Sequence, residues 1–85
     1  MKIILLTTKG CEGCNIMRNI LQEVIKTESN IEYNEFEFPN IHDVGVYIGN
    51  VTDFPATFIK NNDIIKLIIG TRPIPIIKKI IKELK

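Results

Sequence analysis

The sequence predicts an α/β fold of order β-α-β-α-β-β-α, built as a four-stranded mixed sheet with helices on both faces. Three observations carry this expectation. Lys2 to Thr7 is a nearly continuous apolar run, the pattern of a strand buried on both of its faces. From Cys11 or Glu12 to Lys26, the residues Ile16, Met17, Ile20, Leu21, Val24 and Ile25 recur at steps of three and four, which is one stripe of a helix. Farther on, Ala56 to Lys60 and Ile64 to Ile69 flank Asn61-Asn62-Asp63, a turn composition that joins two strands as a hairpin. A chain of 85 residues is enough for one domain, residues 1–85.

The remaining elements follow from local chemistry. Thr8-Lys9-Gly10 forms the exit loop of the first strand, and Thr27-Glu28-Ser29-Asn30 ends the first helix. Ile31 to Phe38 alternates and is rich in aromatics, so it reads as a strand. Strand, helix and strand in one short unit imply a parallel pair joined by a right-handed crossover. Pro39-Asn40 breaks that strand, and a short helix is expected from Ile41 to Ile48 with Asn40 as its N-cap. Gly45 weakens this helix by about 1 kcal/mol relative to Ala, and Gly49-Asn50 closes it. After the hairpin, Gly70 ends the fourth strand, Thr71 is the expected cap of the last helix, and Pro73 sits in its first turn. That helix sets Ile74, Ile77, Ile80, Ile81 and Leu84 on one face.

Composition excludes several classes of function. The net charge of +1 leaves no electrostatic footprint for nucleic acid. Lys78, Lys79, Lys82 and Lys85 crowd the last helix, where they read as a solvated face that complements the helix dipole. Met1 to Thr8 has neither the roughly 7–15 apolar residues of a signal-peptide core nor a small-residue cleavage site. No apolar run approaches the roughly 18 residues of a membrane span. A cytoplasmic protein without membrane attachment is expected, and it is expected to be a monomer.

The chemistry lies in Cys11-Glu12-Gly13-Cys14. Two cysteines this close enclose a loop too short to restrict the unfolded chain much, so a structural role is weak. They stand where the first strand gives way to the first helix, and the unpaired N–H groups and partial positive charge of a helix start stabilise a thiolate. Cys11, at the loop edge, is the expected nucleophile. Cys14, one turn inside, is the expected resolving thiol. Gly13 leaves room for a substrate backbone to come close. Glu12 opposes the thiolate by about 1.4 kcal/mol at about 6 Å and an effective dielectric near 40. The helix-end effect is similar in size and opposite in sign. The Cys11 thiol should therefore lie modestly below the ordinary cysteine range rather than far below it, and the couple should be reducing, at roughly −200 to −280 mV.

On these residues the chain resembles the thioredoxin-like superfamily, in particular its small, glutaredoxin-size members. The likeness rests on Thr7-Thr8-Lys9-Gly10-Cys11-Glu12-Gly13-Cys14, on Thr52-Asp53-Phe54-Pro55-Ala56-Thr57, and on Gly70 before the last helix, and it covers nearly the whole chain. The resemblance implies a thiol–disulfide oxidoreductase that reduces protein disulfides through Cys11 and Cys14. It implies a cis Phe54–Pro55 bond facing the pair, with the Phe54 backbone pairing to an extended substrate. Gly10, Glu12, Gly13, Phe54, Pro55 and Gly70 would line the docking groove. The partners implied are protein disulfides and a reductase or thiol reductant, with no cofactor beyond the redox-active disulfide.

The chain also departs from its relatives. Glu12-Gly13 is neither the Gly-Pro usual in thioredoxins nor the Pro-Tyr usual in glutaredoxins, and Gly70 is followed by Thr71-Arg72-Pro73 rather than by a glutathione-binding Gly-Gly segment. Lys9 or Arg72 offers a cation to a glutathione carboxylate, but each reads first as a solvated surface charge.

The alternative from a different class is a small copper carrier, because soft metals favour thiolates and such domains place Cys-x-x-Cys between a first strand and a helix. Those domains end in a strand, whereas this chain ends in an amphipathic helix. His42 reads as a surface helix residue, since one His and two Cys fall short of a structural zinc site. Met17 belongs to the apolar face of the first helix and reads as core.

Overall fold

The computed structural model describes residues 1–28, 30–38 and 53–85. Its elements are β1 (Lys2–Thr8), α1 (Glu12–Thr27), β2 (Glu32–Phe38), β3 (Ala56–Asn61), β4 (Ile64–Ile69) and α2 (Ile74–Leu84). The helix expected over 41–48, with Asn40 as its cap and His42 on its surface, lies outside the described residues.

The sheet order is β2-β1-β3-β4. β1 runs parallel to β2 and antiparallel to β3, and β3 pairs antiparallel with β4. The apolar run of β1 is explained by this place between two strands. Leu5 stands opposite Glu35 on one side and Thr57 on the other, and Thr57 in turn stands opposite Ile68.

Side chains alternate between two unequal faces. On one face Ile3, Leu5, Ile59 and Ile68 pack against Met17, Leu21 and Val24 of α1 and Ile77 and Ile81 of α2. Fully burying an aliphatic side chain of this size contributes about 1.5–3 kcal/mol, and among the described residues this face holds most of the buried side chains. On the other face Leu6 and Ala56 are buried beneath Ile4, Phe38, Phe54, Phe58, Leu67 and Ile69, which are only partly covered. Both described helices thus lie on the first face. No helix among the described residues is long and apolar enough to cross a membrane.

Element boundaries differ from the sequence expectations in small ways that have physical causes. β1 runs on to Thr8, whose hydroxyl donates to the Phe38 carbonyl at 2.8 Å and stitches the end of β1 to β2. β3 runs on to Asn61, opposite Ile64, which leaves Asn62 and Asp63 as the turn. Asn62 takes a φ of 57°, the left-handed conformation that Asn tolerates better than most residues. The expectation for the last helix is corrected. Its N-cap is Pro73, not Thr71, and Pro75 occupies its first turn. Arg72 precedes a proline, which disfavours helical backbone there, so the helix starts one proline later than expected. The Pro73 carbonyl accepts from the N–H groups of Ile76 and Ile77 at 3.0 and 3.2 Å. At the opposite end, Asn61 Nδ2 donates to the Leu84 carbonyl and Lys85 Nζ lies 3.0 Å from Glu28 Oε2, which ties α2 to β3 and to the end of α1.

Candidate active site

The site forms where β1 ends, α1 starts and β3 begins. Cys11 is the N-cap of α1, with φ −92° and ψ 107°. Gly10 before it has a φ of 73°, the left-handed turn that brings the chain out of β1. Capping a helix needs an acceptor for the first free N–H groups, usually a side-chain oxygen. Here the acceptor is sulfur: the Cys14 N–H donates to Cys11 Sγ at 3.0 Å. This contact satisfies one of the free N–H groups of the first turn.

Cys11 and Cys14 are joined as a disulfide with a Cα–Cα distance of 5.2 Å. Their surroundings differ. Cys14 is 1% exposed, whereas Cys11 is half-buried and reaches the surface. A molecule approaching from solvent therefore meets Cys11 before Cys14. Glu12, the first residue of α1, is exposed beside it.

The structure brings Pro55 to this pair from a distant part of the chain. Ala56 stands opposite Leu6 in the β1–β3 ladder, so the residue before it arrives level with the end of β1. The Phe54–Pro55 peptide is cis. Pro55 is buried, and its carbonyl accepts from the Gly70 N–H at 2.8 Å. Gly70 has a φ of 86°, a conformation that costs glycine little and other residues more, and it turns the chain from β4 towards α2 while aiming its N–H at Pro55.

Gly13 is closely surrounded by its own protein. A Cβ at this position would lie 3.3 Å from Pro55 Cδ and 3.8 Å from Thr71 Cγ2. The absence of a side chain at position 13 lets Pro55 seat closely against the turn between the cysteines. By contrast, a Cβ on Gly10 would meet nothing within 4 Å.

Phe54 is partly buried, and its ring joins the cluster on the second face of the sheet. Its N–H donates to Asp53 Oδ1 at 2.8 Å. Arg72 curls back over the same rim, where its Nη1 donates to the carbonyls of Ile69 and Thr71 at 3.2 and 2.8 Å. Among the residues expected from sequence, Gly13, between the two cysteines, lies against Pro55, Gly70 holds the Pro55 carbonyl, and Phe54 precedes Pro55. Sequence reasoning does not find Thr71 against Gly13 or Asp53 on the Phe54 N–H. The first depends on how β4 and α2 are placed. The second has a local signal, an aspartate immediately before Phe54.

A second polar cluster holds α1 to the edge of the sheet. Arg18 binds Glu35 with both arms, Nε to Oε1 at 2.8 Å and Nη2 to Oε2 at 2.9 Å, and its Nη1 donates to Asn15 Oδ1 at 2.6 Å. The Tyr33 hydroxyl donates to Glu35 Oε1 at 2.9 Å. The Arg18 hydrogen bond holds the Glu35 carboxyl below its ordinary range. Burial, aided by the bond to Glu35, pushes the Tyr33 phenol well above its ordinary range.

No protein-family model matches this sequence. No curated protein matches it either. Solved structures do match. The chain superposes on chloroplastic thioredoxin z with a TM-score of 0.82 at 15% identity, covering 98% of this chain and 76% of that one. For mitochondrial thioredoxin 3 of Saccharomyces cerevisiae the TM-score is 0.76 at 20% identity, covering 96% and 76%. For the thioredoxin of Aeropyrum pernix it is 0.75 at 14% identity, covering 99% and 74%. At these identities the likeness is one of fold. The fold of the chain is thioredoxin-like.

Proposed function

We propose that the chain is a thiol–disulfide oxidoreductase that reduces protein disulfides through the Cys11–Cys14 couple. The observation that carries this reading is the asymmetry of the pair: a surface-reaching sulfur that receives a helix N–H, joined to a buried partner one turn inside. The thioredoxin-like fold supports the same chemistry.

In the reduced protein, Cys11 is the thiolate. It attacks one sulfur of the substrate disulfide, forms a mixed disulfide and breaks the substrate S–S bond. The expelled substrate sulfur leaves as a thiolate and takes a proton from solvent. Cys14 then loses its proton, attacks the Cys11 sulfur and closes the Cys11–Cys14 bond. The second substrate thiolate is released. Two protein thiols are oxidised to one disulfide, and one substrate disulfide is reduced to two thiols. An external reductant, either a dithiol or a reductase, reopens the Cys11–Cys14 bond. The steps need no cofactor besides the two sulfurs. Thioredoxin-type and glutaredoxin-type supply differ in that reductant. Arg72, a candidate cation for glutathione, is already engaged with the Ile69 and Thr71 carbonyls, which favours a reductase or dithiol.

The test is a redox titration in graded dithiol buffers, with free thiols alkylated and read by mass. A reversible two-electron transition is the expected result, and its midpoint should be reducing. The variant Cys14→Ser should accumulate a mixed disulfide with substrate, and Cys11→Ser should lose activity. A pair that forms no disulfide at any buffer ratio, while copper copurifies with the protein, would replace this reading with that of a metal carrier. Retained activity in Cys11→Ser would reverse the assigned roles.

A further inference from the structure

Asp53 lies two residues before Pro55, which seats against Gly13 between the two cysteines, and takes no part in the exchange just described. Its Oδ1 accepts the Phe54 N–H at 2.8 Å. That N–H lies outside the sheet, because the ladders of β3 with β1 and with β4 both begin at Ala56. The donor is nevertheless rigidly placed. The Phe54 ring is anchored in the cluster on the second face, and the next residue is Pro55, fixed by Gly70 and seated against Gly13. A main-chain donor left out of the ladders at a strand start is what an added extended segment uses to register itself. On the oxidoreductase reading, an extended substrate that crosses Pro55 would register on this one.

We infer that Asp53 is a selectivity residue: its carboxylate occupies the main-chain donor that an extended polypeptide must use, so it gates polypeptide disulfides and does not gate small ones. The inference rests on the oxidoreductase reading above and names the substrate feature that reading leaves open. A polypeptide carbonyl must displace the carboxylate from the Phe54 N–H before it can pair there. A small disulfide reaches Cys11 without pairing to the backbone. Asp53 is exposed, so the released carboxylate returns to water and the exchange stays reversible.

The test compares two disulfides with dithiothreitol as the reductant: a linear peptide carrying a mixed disulfide with cysteamine, and bis(2-hydroxyethyl) disulfide. The variants are Asp53→Ala, which removes the acceptor, and Asp53→Asn, which keeps an Oδ1 acceptor without the charge. For Asp53→Ala, kcat/KM for the peptide relative to the small disulfide should rise about 3–10-fold, the worth of one exchanged hydrogen bond. The gain should appear in KM. Asp53→Asn should keep the wild-type ratio within about twofold. The Phe54 amide proton should shift upfield in Asp53→Ala and stay near its wild-type position in Asp53→Asn, which reports the contact without any turnover. If wild type reduces both probes and Asp53→Ala leaves the ratio unchanged or lowers it, the gate is refuted and the oxidoreductase reading stands. If wild type reduces neither probe, the oxidoreductase reading itself fails, and the gate fails with it.

Discussion

Replacing Gly13 by alanine sets two measurable effects against each other. Alanine is the better helix former, by about 1 kcal/mol in a helix interior and less in a first turn such as this one. The new Cβ, however, would stand 3.3 Å from Pro55 Cδ, inside an ordinary carbon–carbon contact. One of the two must move by a few tenths of an ångström. Pro55 is poorly placed to yield: it is buried, its ring has no rotamer to swing away, and its carbonyl is held by the Gly70 N–H at 2.8 Å. Overpacking of this kind costs about 1–3 kcal/mol, which outweighs the propensity gain. The expected net effect is a loss of about 1 kcal/mol, and in a domain of this size that lowers Tm by about 4–8 °C. Displacing the Cys11 loop from Pro55 should also slow disulfide reduction several-fold, since reaction rates fall steeply with misplacement.

Thermal melting of the oxidised protein, together with steady-state reduction of a peptide disulfide, reads both effects. Gly10→Ala serves as the control. There a Cβ meets nothing, so only the left-handed φ of 73° penalises the substitution, again by about 1 kcal/mol. A Gly13→Ala protein that melts higher than wild type and keeps the full rate would refute the reasoning, because it would show that Pro55 yields without cost.

Three further outcomes are expected. The Arg18–Glu35 pair has good two-armed geometry, but its side chains are 36% and 29% exposed, so a double-mutant cycle with Arg18→Met and Glu35→Gln should give a coupling of about 0.5–1 kcal/mol that shrinks in high salt. A coupling indistinguishable from zero at low salt would show that solvent screens the pair completely. The pH dependence of stability has a definite sign at this cluster. The lowered Glu35 group stabilises the fold above its unfolded range and loses that contribution as pH falls through its folded value, whereas the raised Tyr33 group stabilises below the ordinary phenol range and loses its contribution as pH rises through its folded value. Urea melts from acid to alkaline pH should weaken at both ends, with the acid loss reduced in Glu35→Gln and the alkaline loss reduced in Tyr33→Phe. Thr57 is fully buried, and its hydroxyl finds no partner among the described residues, so Thr57→Val should raise stability by about 1 kcal/mol. A destabilised Thr57→Val would mean that the hydroxyl is satisfied in solution.

Much of this molecule is legible in its sequence. β4 runs from Ile64 to Ile69, as its composition indicates, and α1 differs from its expected end by one residue. The hairpin stands where Asn and Asp cluster, because turn chemistry acts over a few residues. Cys11 and Cys14 are legible for the same reason: spacing and a position at a strand-to-helix junction are local facts. The start of α2 is harder to read, because Pro73 and Pro75 each offer a plausible first turn and the choice depends on how Gly70 delivers the chain. The exposure of Ile64 and Ile65 is hidden too, since an edge strand and a buried one can share a composition.

By itself the sequence determined what depends on near neighbours: the elements, their apolar stripes, and a pair of thiols at the start of a helix. Only the tertiary structure decided what surrounds those thiols. It set Pro55 against Gly13, pinned Pro55 through Gly70, buried Cys14 while leaving Cys11 at the surface, and gave the Phe54 N–H to Asp53. The physical reason is one of range. Helix and strand patterns are written in contacts a few residues apart, whereas the surroundings of the disulfide are made by the register of β3 on β1 and the turn after β4. Those strands come together only when the whole apolar face is buried.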